Sequence, residues 1–331
     1  MEEIKLHYNY VIVGCEGYYL VGYRDVMNLP CVSYHKDYWD GFRGILSRQL
    51  LRWNFSRQLN RCIHTPFSWY VYPRLYPHNF PDDKPLCYVF FGNLQYIYQT
   101  SYLDYLRSHV PDVKIVLYMQ DLVARNHQLH LERVANKFDL MITYDSGDAE
   151  KYHMAFHPTP MSRVEIAIDR SLKKSDIYFC GYAKNRWQKV HDVFRQCQRD
   201  GLRCDFNILD LPLDAERLEG INYITCPFSY TENLQHVINS HCVLEIMQEN
   251  ADGFTPRLWE SIIYDRHLLT NNNTVFGSSF YYSLGHHSLE ILNNKETIKS
   301  LTTEVSYPDT LKDSLSPRHL LSFIDERLLQ K

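Results

Sequence analysis

The sequence contains no apolar run approaching the ~18 residues of a membrane span. Its opening, MEEIKLHYNY, carries acids and no apolar h-region, so it does not read as a secretory signal. The nine cysteines, scattered from 15 to 242, include no CxxC pair. They read as reduced thiols in a cytosolic protein rather than as a disulfide framework. GxGxxG, GxxxxGK with Ser or Thr, and GxSxG are all missing, so there is no dinucleotide fingerprint, P-loop or nucleophile elbow. An excess of either charge is missing too. A net charge of −4 over 331 residues argues against a strongly basic nucleic-acid binder.

What is present is ordinary globular composition, 45% hydrophobic and 22% charged, at a length of about two domains. Tyrosine is over-represented at 26 residues, which suits half-buried positions and the faces of polar ligands. NYVIVG (9–14), YVFFGN (88–93), KIVLYM (114–119) and DLMITYD (139–145) read as strands, with helical spacing between them. The rhythm restarts with DIYFCG (176–181), helix WQKVHDVFRQCQRDG, strands CDFNIL and NYITC, helix YTENLQHVINS, strand VLEIM, helix PRLWESIIYD and strand HLLTNN. Near-continuous apolar strands alternating with helices imply parallel sheets covered on both faces. The expected architecture is α/β, with two Rossmann-like doubly wound domains facing a cleft. The first spans 1–165 and the second 166–315, with the linker in the Pro-containing stretch 155–175. A terminal helix over 316–331, with Ser316 as cap and Pro317 in its first turn, could pack back on the first domain.

The most informative stretch is VLEIMQENADGFTPRLWESIIYDRHLLTNN (243–272). A strand ends, a loop with Asp252 and Gly253 follows, and a helix begins near Thr255. A helix start offers unpaired N–H groups and a positive dipole end to a phosphate. Arg257 could add a bidentate fork, and Glu260, one turn on, could accept two ribose hydroxyls. A plain N-cap at Thr255 with solvated Arg and Glu would read equally well from these residues alone. In DIYFCGYAKNRWQKV (176–190), Gly181 would admit a close backbone approach, while Asn185 and Arg186 would supply donors.

DGFTPRLWE resembles the acid-x7-acid motif of GT-B glycosyltransferases, with Asp252 and Glu260 at the two acidic positions. The resemblance implies that Glu260 holds a nucleotide ribose and that Asp252 lies near the transferred sugar. It departs from the commoner form in having Asp first and Thr-Pro-Arg inside, which touches Asp252 more than Glu260. Residues 176–190 resemble the opening of a GT-B donor domain, where a glycine turn and a basic residue approach the pyrophosphate. PFSYTENLQHVINSHCVLEI resembles the stretch before the acidic motif, which would put Tyr230 and Glu232 near a nucleobase, with Phe254 shaping the pocket. KFDLMITYDSGDAEKYHMAFHPTPMS resembles transferases of bacterial capsule and lipopolysaccharide synthesis. Together the likeness spans roughly residues 88–272.

The resemblance implies transfer of a sugar from a nucleotide-sugar donor on the second domain to a glycan acceptor, lipid-linked or free, held mainly by the first. Inverting chemistry would need a general base. Glu16 and Asp121 follow strands directly and are the first candidates, while Asp145 and Asp148 read as caps of the helix near Ala149. No metal cofactor is expected. The Asp-x-Asp of metal-dependent GT-A enzymes is missing, and His127/His130 and His286/His287 lack a third ligand. Two other readings stay open: an epimerase acting on a nucleotide sugar, and a non-catalytic sugar-nucleotide-binding scaffold. Between 41 and 81 there are six arginines and no acid. Phe42, Ile45, Leu46, Leu50 and Trp53 share a helical face there, so residues 41–61 could rest on an anionic membrane, or form an ordinary core-facing helix.

Overall fold

The computed structural model describes residues 5–92, 101–125, 131–248, 253–278, 285–293 and 298–330. The chain forms two compact units, residues 1–162 with 316–331, and residues 163–315.

The first unit is built on six strands: β1 (Asn9–Val13), β2 (Val32–His35), β3 (Leu86–Phe91), β4 (Lys114–Met119), β5 (Leu140–Thr143) and β6 (Ala155–Phe156). They lie in the order β2-β1-β3-β4-β5-β6, every pair parallel. Alternate residues of each strand face opposite layers. Val11, Val13, Tyr88, Phe90, Ile115 and Leu117 meet Leu51, Leu103 and Leu106 on one face. Tyr10, Ile12, Cys87, Val89, Phe91, Val116 and Tyr118 meet Leu320, Leu321, Ile324 and Leu328 on the other. These last four come from helix Pro317–Leu329, whose N-cap Ser316 accepts from the Arg318 N–H. The helix also carries buried Asp325, which accepts from the Tyr10 hydroxyl and the His7 N–H.

The tyrosine excess finds a structural use here. Tyr10, Tyr23, Tyr76, Tyr102 and Tyr118 are fully buried. Tyr118 reaches the carbonyls of His157 and Pro158 at 3.2 and 3.0 Å, so its ring fills core volume while its hydroxyl stays paired.

Of the two readings of helix Ile45–Asn54, the core-facing one does not hold. Its buried residues are Ser47, Leu51 and Asn54, while Ile45 and Leu46 point to solvent and Phe42 is buried ahead of the helix. The reason lies in the following segment. Asn54 Oδ1 accepts from the Phe67 N–H at 3.2 Å, and the Tyr70 hydroxyl donates to Ser47 Oγ at 3.2 Å. With those polar groups satisfied, the polar side turns inward.

The stretch 155–175 opens with β6 and stays with the first unit as far as Ser162, which bonds the Gly22 carbonyl and accepts from the Asp25 N–H at 2.9 Å. The chain re-enters this unit at Ser316, whose hydroxyl donates to Asp25 Oδ2 at 2.8 Å.

The second unit has β7 (Ser175–Tyr182), β8 (Cys204–Leu209), β9 (Ile221–Ile224), β10 (Ser240–Glu245), β11 (His267–Thr270) and β12 (His286–Ser288). All are parallel, in the order β12-β11-β10-β7-β8-β9. Counted within the unit this is the doubly wound 3-2-1-4-5-6 arrangement. Helix Trp187–Arg199 covers β7 and β8 with Val190, Val193, Phe194 and Cys197. It stops before Gly201 at φ 75°, a backbone conformation that favours glycine. The strand order reverses between β7 and β10, and in such sheets a ligand binds beyond the carboxyl ends at the reversal.

Candidate functional site

At the reversal point two arginines converge on the end of β7. Arg186 follows β7 in the turn Lys184–Arg186. Its Nε donates to the Tyr182 carbonyl at 3.0 Å and its Nη1 to the Ile246 carbonyl at 2.7 Å. Arg257, in the first turn of helix Pro256–Ile263, donates from Nη2 to the Cys180 carbonyl. Both guanidinium carbons lie over the Phe179 ring, at 5.4 and 5.5 Å from its centroid. Gly181 makes room for them. A Cβ there would sit 2.6 Å from Arg186 Nη2 and 3.2 Å from Arg257 Nη2.

Arg186 is 8% exposed, and among the described residues neither arginine forms an ion pair. Burial, followed by the neighbouring charge of Arg257, pushes the Arg186 pKa down to about 10, so it remains a cation at neutral pH. Two like charges held side by side cost free energy, and an anion placed between them would recover it.

The helix start is held from behind. N-cap Thr255 accepts from the Arg257 N–H at 3.2 Å and donates to Glu245, the last residue of β10. Glu245 is fully buried and also accepts from the Thr270 hydroxyl. Thr270 Oγ1 takes the Asn272 N–H at 2.9 Å, and the Asn272 amide donates to the Gly253 carbonyl at 2.7 Å. A closed circuit thus fixes Gly253 (φ 102°) and Thr255 against β10 and β11.

This arrangement corrects the expectation of free helix-end donors. Pro256 has no N–H, the Arg257 N–H is taken by the Thr255 side chain, and the Leu258 N–H by the Thr255 carbonyl at 3.1 Å. Positive charge at the site therefore comes from guanidinium groups rather than from the first helical amides.

Glu260, one turn on, is 3% exposed. Its Oε1 accepts from the Tyr230 hydroxyl at 2.8 Å and the Asn233 amide at 3.2 Å, and Asn233 Oδ1 accepts from the Tyr178 hydroxyl at 2.9 Å. Tyr230 is thus turned towards Glu260. Glu232 is used in a capping box, accepting from the Ser229 N–H at 2.7 Å while Ser229 Oγ accepts from its own N–H.

Burial raises the Glu260 pKa above the ordinary 4.5. The folded chain then holds that proton more tightly than the unfolded chain. Stability is lost as pH rises from the unfolded value through the folded one, and no more is lost above it. Glu260→Gln is expected to raise the melting temperature by roughly 2–4 °C, about 1 kcal/mol, near neutral pH and by little at about pH 4. Calorimetry at the two pH values checks this, and an equal gain at both would contradict it.

Beside the arginines, a cavity of about 390 Å³ opens at the carboxyl ends of β7, β8 and β9, lined by Tyr182, Asp210, Leu211, Arg217, Tyr223 and Thr225. The Arg217 guanidinium lies over the Tyr223 ring at 4.8 Å. Neither this cavity nor Glu245 was legible in the sequence. Glu245 reads there as one position of an apolar strand, and its partners lie ten and 25 residues further on.

The other candidates are placed as follows. Asn185 is exposed in the turn before Arg186. The Phe254 ring lies 5.7 Å from that of Trp259. Asp252 lies outside the described residues, as do His127 and His130. Glu16, in the loop after β1, is exposed and pairs with Lys36 at 3.0 Å. Asp121, in the loop after β4, accepts from the Leu122 N–H at 2.8 Å. Since β3 separates β1 from β4, the two carboxylates follow strands two places apart. Asp145 caps helix Ser146–Tyr152, and Asp148 accepts from the Val123 N–H at 2.8 Å. Among the described residues no three His, Cys, Asp or Glu are grouped as a metal would require. His287 and His267 face each other at 3.0 Å, and burial takes His286 and His287 down to about 4, leaving both neutral.

No family model matches the sequence, and no curated protein matches it. Solved structures do match the fold. A trehalose-6-phosphate synthase, OtsA, aligns over 98% of this chain and 99% of its own at a TM-score of 0.57 and 9% identity. A glycosyltransferase involved in avilamycin A biosynthesis aligns over 97% of both chains at 0.53 and 9% identity. A trehalose-6-phosphate protein from E. coli bound with UDP-2-fluoro glucose aligns over 96% of this chain and 98% of its own at 0.51 and 10% identity. The fold is that of the GT-B glycosyltransferases, with two Rossmann-like domains.

Proposed function

We propose, from the GT-B fold as premise, that this chain is a glycosyltransferase taking a nucleoside diphosphate sugar at the reversal point of its second sheet. The observation that carries the reading is the arginine pair. Two buried or part-buried guanidinium groups stand side by side over Phe179, in no ion pair among the described residues, where a doubly wound sheet binds ligands. A diphosphate carries the charge and the spaced oxygens to engage both forks. As the sugar leaves, charge grows on that diphosphate, and a preorganised pair of cations lowers the barrier in the role a metal plays elsewhere. In this reading the enzyme needs no metal cofactor.

Glu260 exchanges its Tyr230 and Asn233 partners for ribose hydroxyls, and the cavity lined by Arg217 and Tyr223 receives the base. Gly253 and Thr255 set the loop over the diphosphate, and the transferred sugar is the role left to Asp252. The acceptor is a glycan of bacterial surface polysaccharide synthesis, lipid-linked at the inner face of the membrane and bound mainly by the first unit. Inverting transfer would use Asp121 or Glu16 as base.

A thermal-shift panel of UDP, GDP, CMP, dTDP and NAD tests the donor site. A ligand at 100 times its dissociation constant adds ~2.7 kcal/mol of stability, so one diphosphate should stand out. Glu260→Ala should reduce that shift. No shift from any nucleotide at millimolar concentration would sink the reading. Conversion of the donor without an acceptor would favour an epimerase.

A further inference from the structure

We propose that the face built from helix Ile45–Asn54 and the segment around Phe67–Arg74 docks on the headgroup layer of an anionic phospholipid bilayer. This goes beyond the donor site and uses none of its residues. It gives a surface to the inner-membrane setting proposed above.

The first observation is exposed apolar bulk where the chain has no acid. Of the twelve large hydrophobic residues exposed among the described positions, six fall between 45 and 69: Ile45, Leu46, Trp53, Leu59, Ile63 and Trp69. Ile45 is 91% exposed, Trp69 73%, Leu46 70% and Ile63 63%. A helix that buries Ser47, Leu51 and Asn54 turns Ile45, Arg52 and Trp53 to the opposite side at about 100° per residue. The two parts meet where the Trp53 ring lies 5.8 Å from that of Phe67, two residues before Trp69.

The second observation is charge. Residues 41–81 carry six arginines and no Asp or Glu, leaving the rest of a chain of net −4 at −10. Arg43, Arg48, Arg52 and Arg74 form no ion pair among the described residues. Arg52 lies over the Trp39 ring at 5.5 Å and Arg74 over Tyr70 at 4.0 Å, so the cations are interleaved with aromatic rings.

Exposed indole rings and aliphatic chains interspersed with unpaired arginines match the boundary between acyl chains and anionic headgroups. A second copy of the chain is disfavoured as the occupant, since each copy would bring the same unpaired cations to the contact.

The test uses the full chain without nucleotide, so that its outcome is independent of the donor reading. Flotation with phosphatidylcholine vesicles, plain or doped with phosphatidylglycerol, should show binding to the doped vesicles only, weakening as salt is raised. Each Arg→Gln change at 43, 48 and 52 should lower the partition coefficient about fivefold, roughly a hundredfold together. Ile45→Ser with Trp69→Ser should lower it further without altering circular dichroism, because both side chains are exposed. Three results would overturn the proposal. These are no binding to doped vesicles, equal binding to plain ones, or a lipid-free dimer in sedimentation that the same substitutions abolish.

Discussion

A chain ended at Leu315 is expected to lose the cooperative folding of its first unit. The missing helix supplies Leu320, Leu321, Ile324 and Leu328, each buried against one face of the first sheet. At ~1.5–3 kcal/mol per buried side chain, these four are worth roughly 6–12 kcal/mol, comparable to the whole stability of a domain. Removing Asp325 and the Leu321 carbonyl also strips both partners from the buried Tyr10 hydroxyl. In scanning calorimetry the truncated chain should keep the transition of residues 163–315 and lose the other. Ile324→Ala is the milder form, at ~2–5 kcal/mol. A truncated chain that still showed both transitions within a few degrees would disprove this account of the core.

Replacing Arg186 and Arg257 together by alanine should weaken binding of the preferred nucleoside diphosphate roughly 10²- to 10⁴-fold, at ~1.5–3 kcal/mol for each charged hydrogen-bonding group. The two single substitutions should act differently on the ligand-free protein. Arg186 holds the carbonyls of Tyr182 and Ile246, so its loss should lower the melting temperature. Arg257 bonds one carbonyl, that of Cys180, and repels Arg186, so Arg257→Ala should lower the melting temperature less than Arg186→Ala does, while the ligand-induced shift disappears. Titration calorimetry and thermal shift on the three variants measure this. Binding within threefold of wild type in the double variant would remove the pair from the site.

The sequence made the strands visible for a physical reason. A parallel strand covered on both faces is a continuous apolar run, and YVFF, KIVLYM and DIYFC are such runs. Strand order was not visible, because neighbours in these sheets are set by contacts far apart along the chain. The same limit applies to the site. Gly181, Arg186, Arg257 and Glu260 could be named from local motifs, and the structure brings Gly181 and the two arginines together over Phe179. Glu245 could not, because a glutamate inside VLEIM reveals itself only when Thr255 and Thr270 arrive beside it. For helix 45–54 the pattern left the apolar face open between a membrane and the core, and it could not show that Ser47 and Asn54 turn inward to partners in residues 67–70.

Asp25 is bonded to Ser162, where the chain leaves the first unit, and to Ser316, where it returns. That topology sets an order of assembly on the ribosome. The first 162 residues are made first, yet the face carrying Tyr10, Ile12, Cys87, Val89 and Phe91 is covered only in part, by Tyr19, Tyr23 and Val26, until helix Pro317–Leu329 emerges. At ~5–20 residues per second, the intervening segment takes on the order of 10 s to synthesise. The later-made unit, continuous in sequence, can close before the earlier one. During that interval the nascent chain presents the apolar strip that Leu320, Leu321, Ile324 and Leu328 will cover, and it is then that this protein most needs a chaperone.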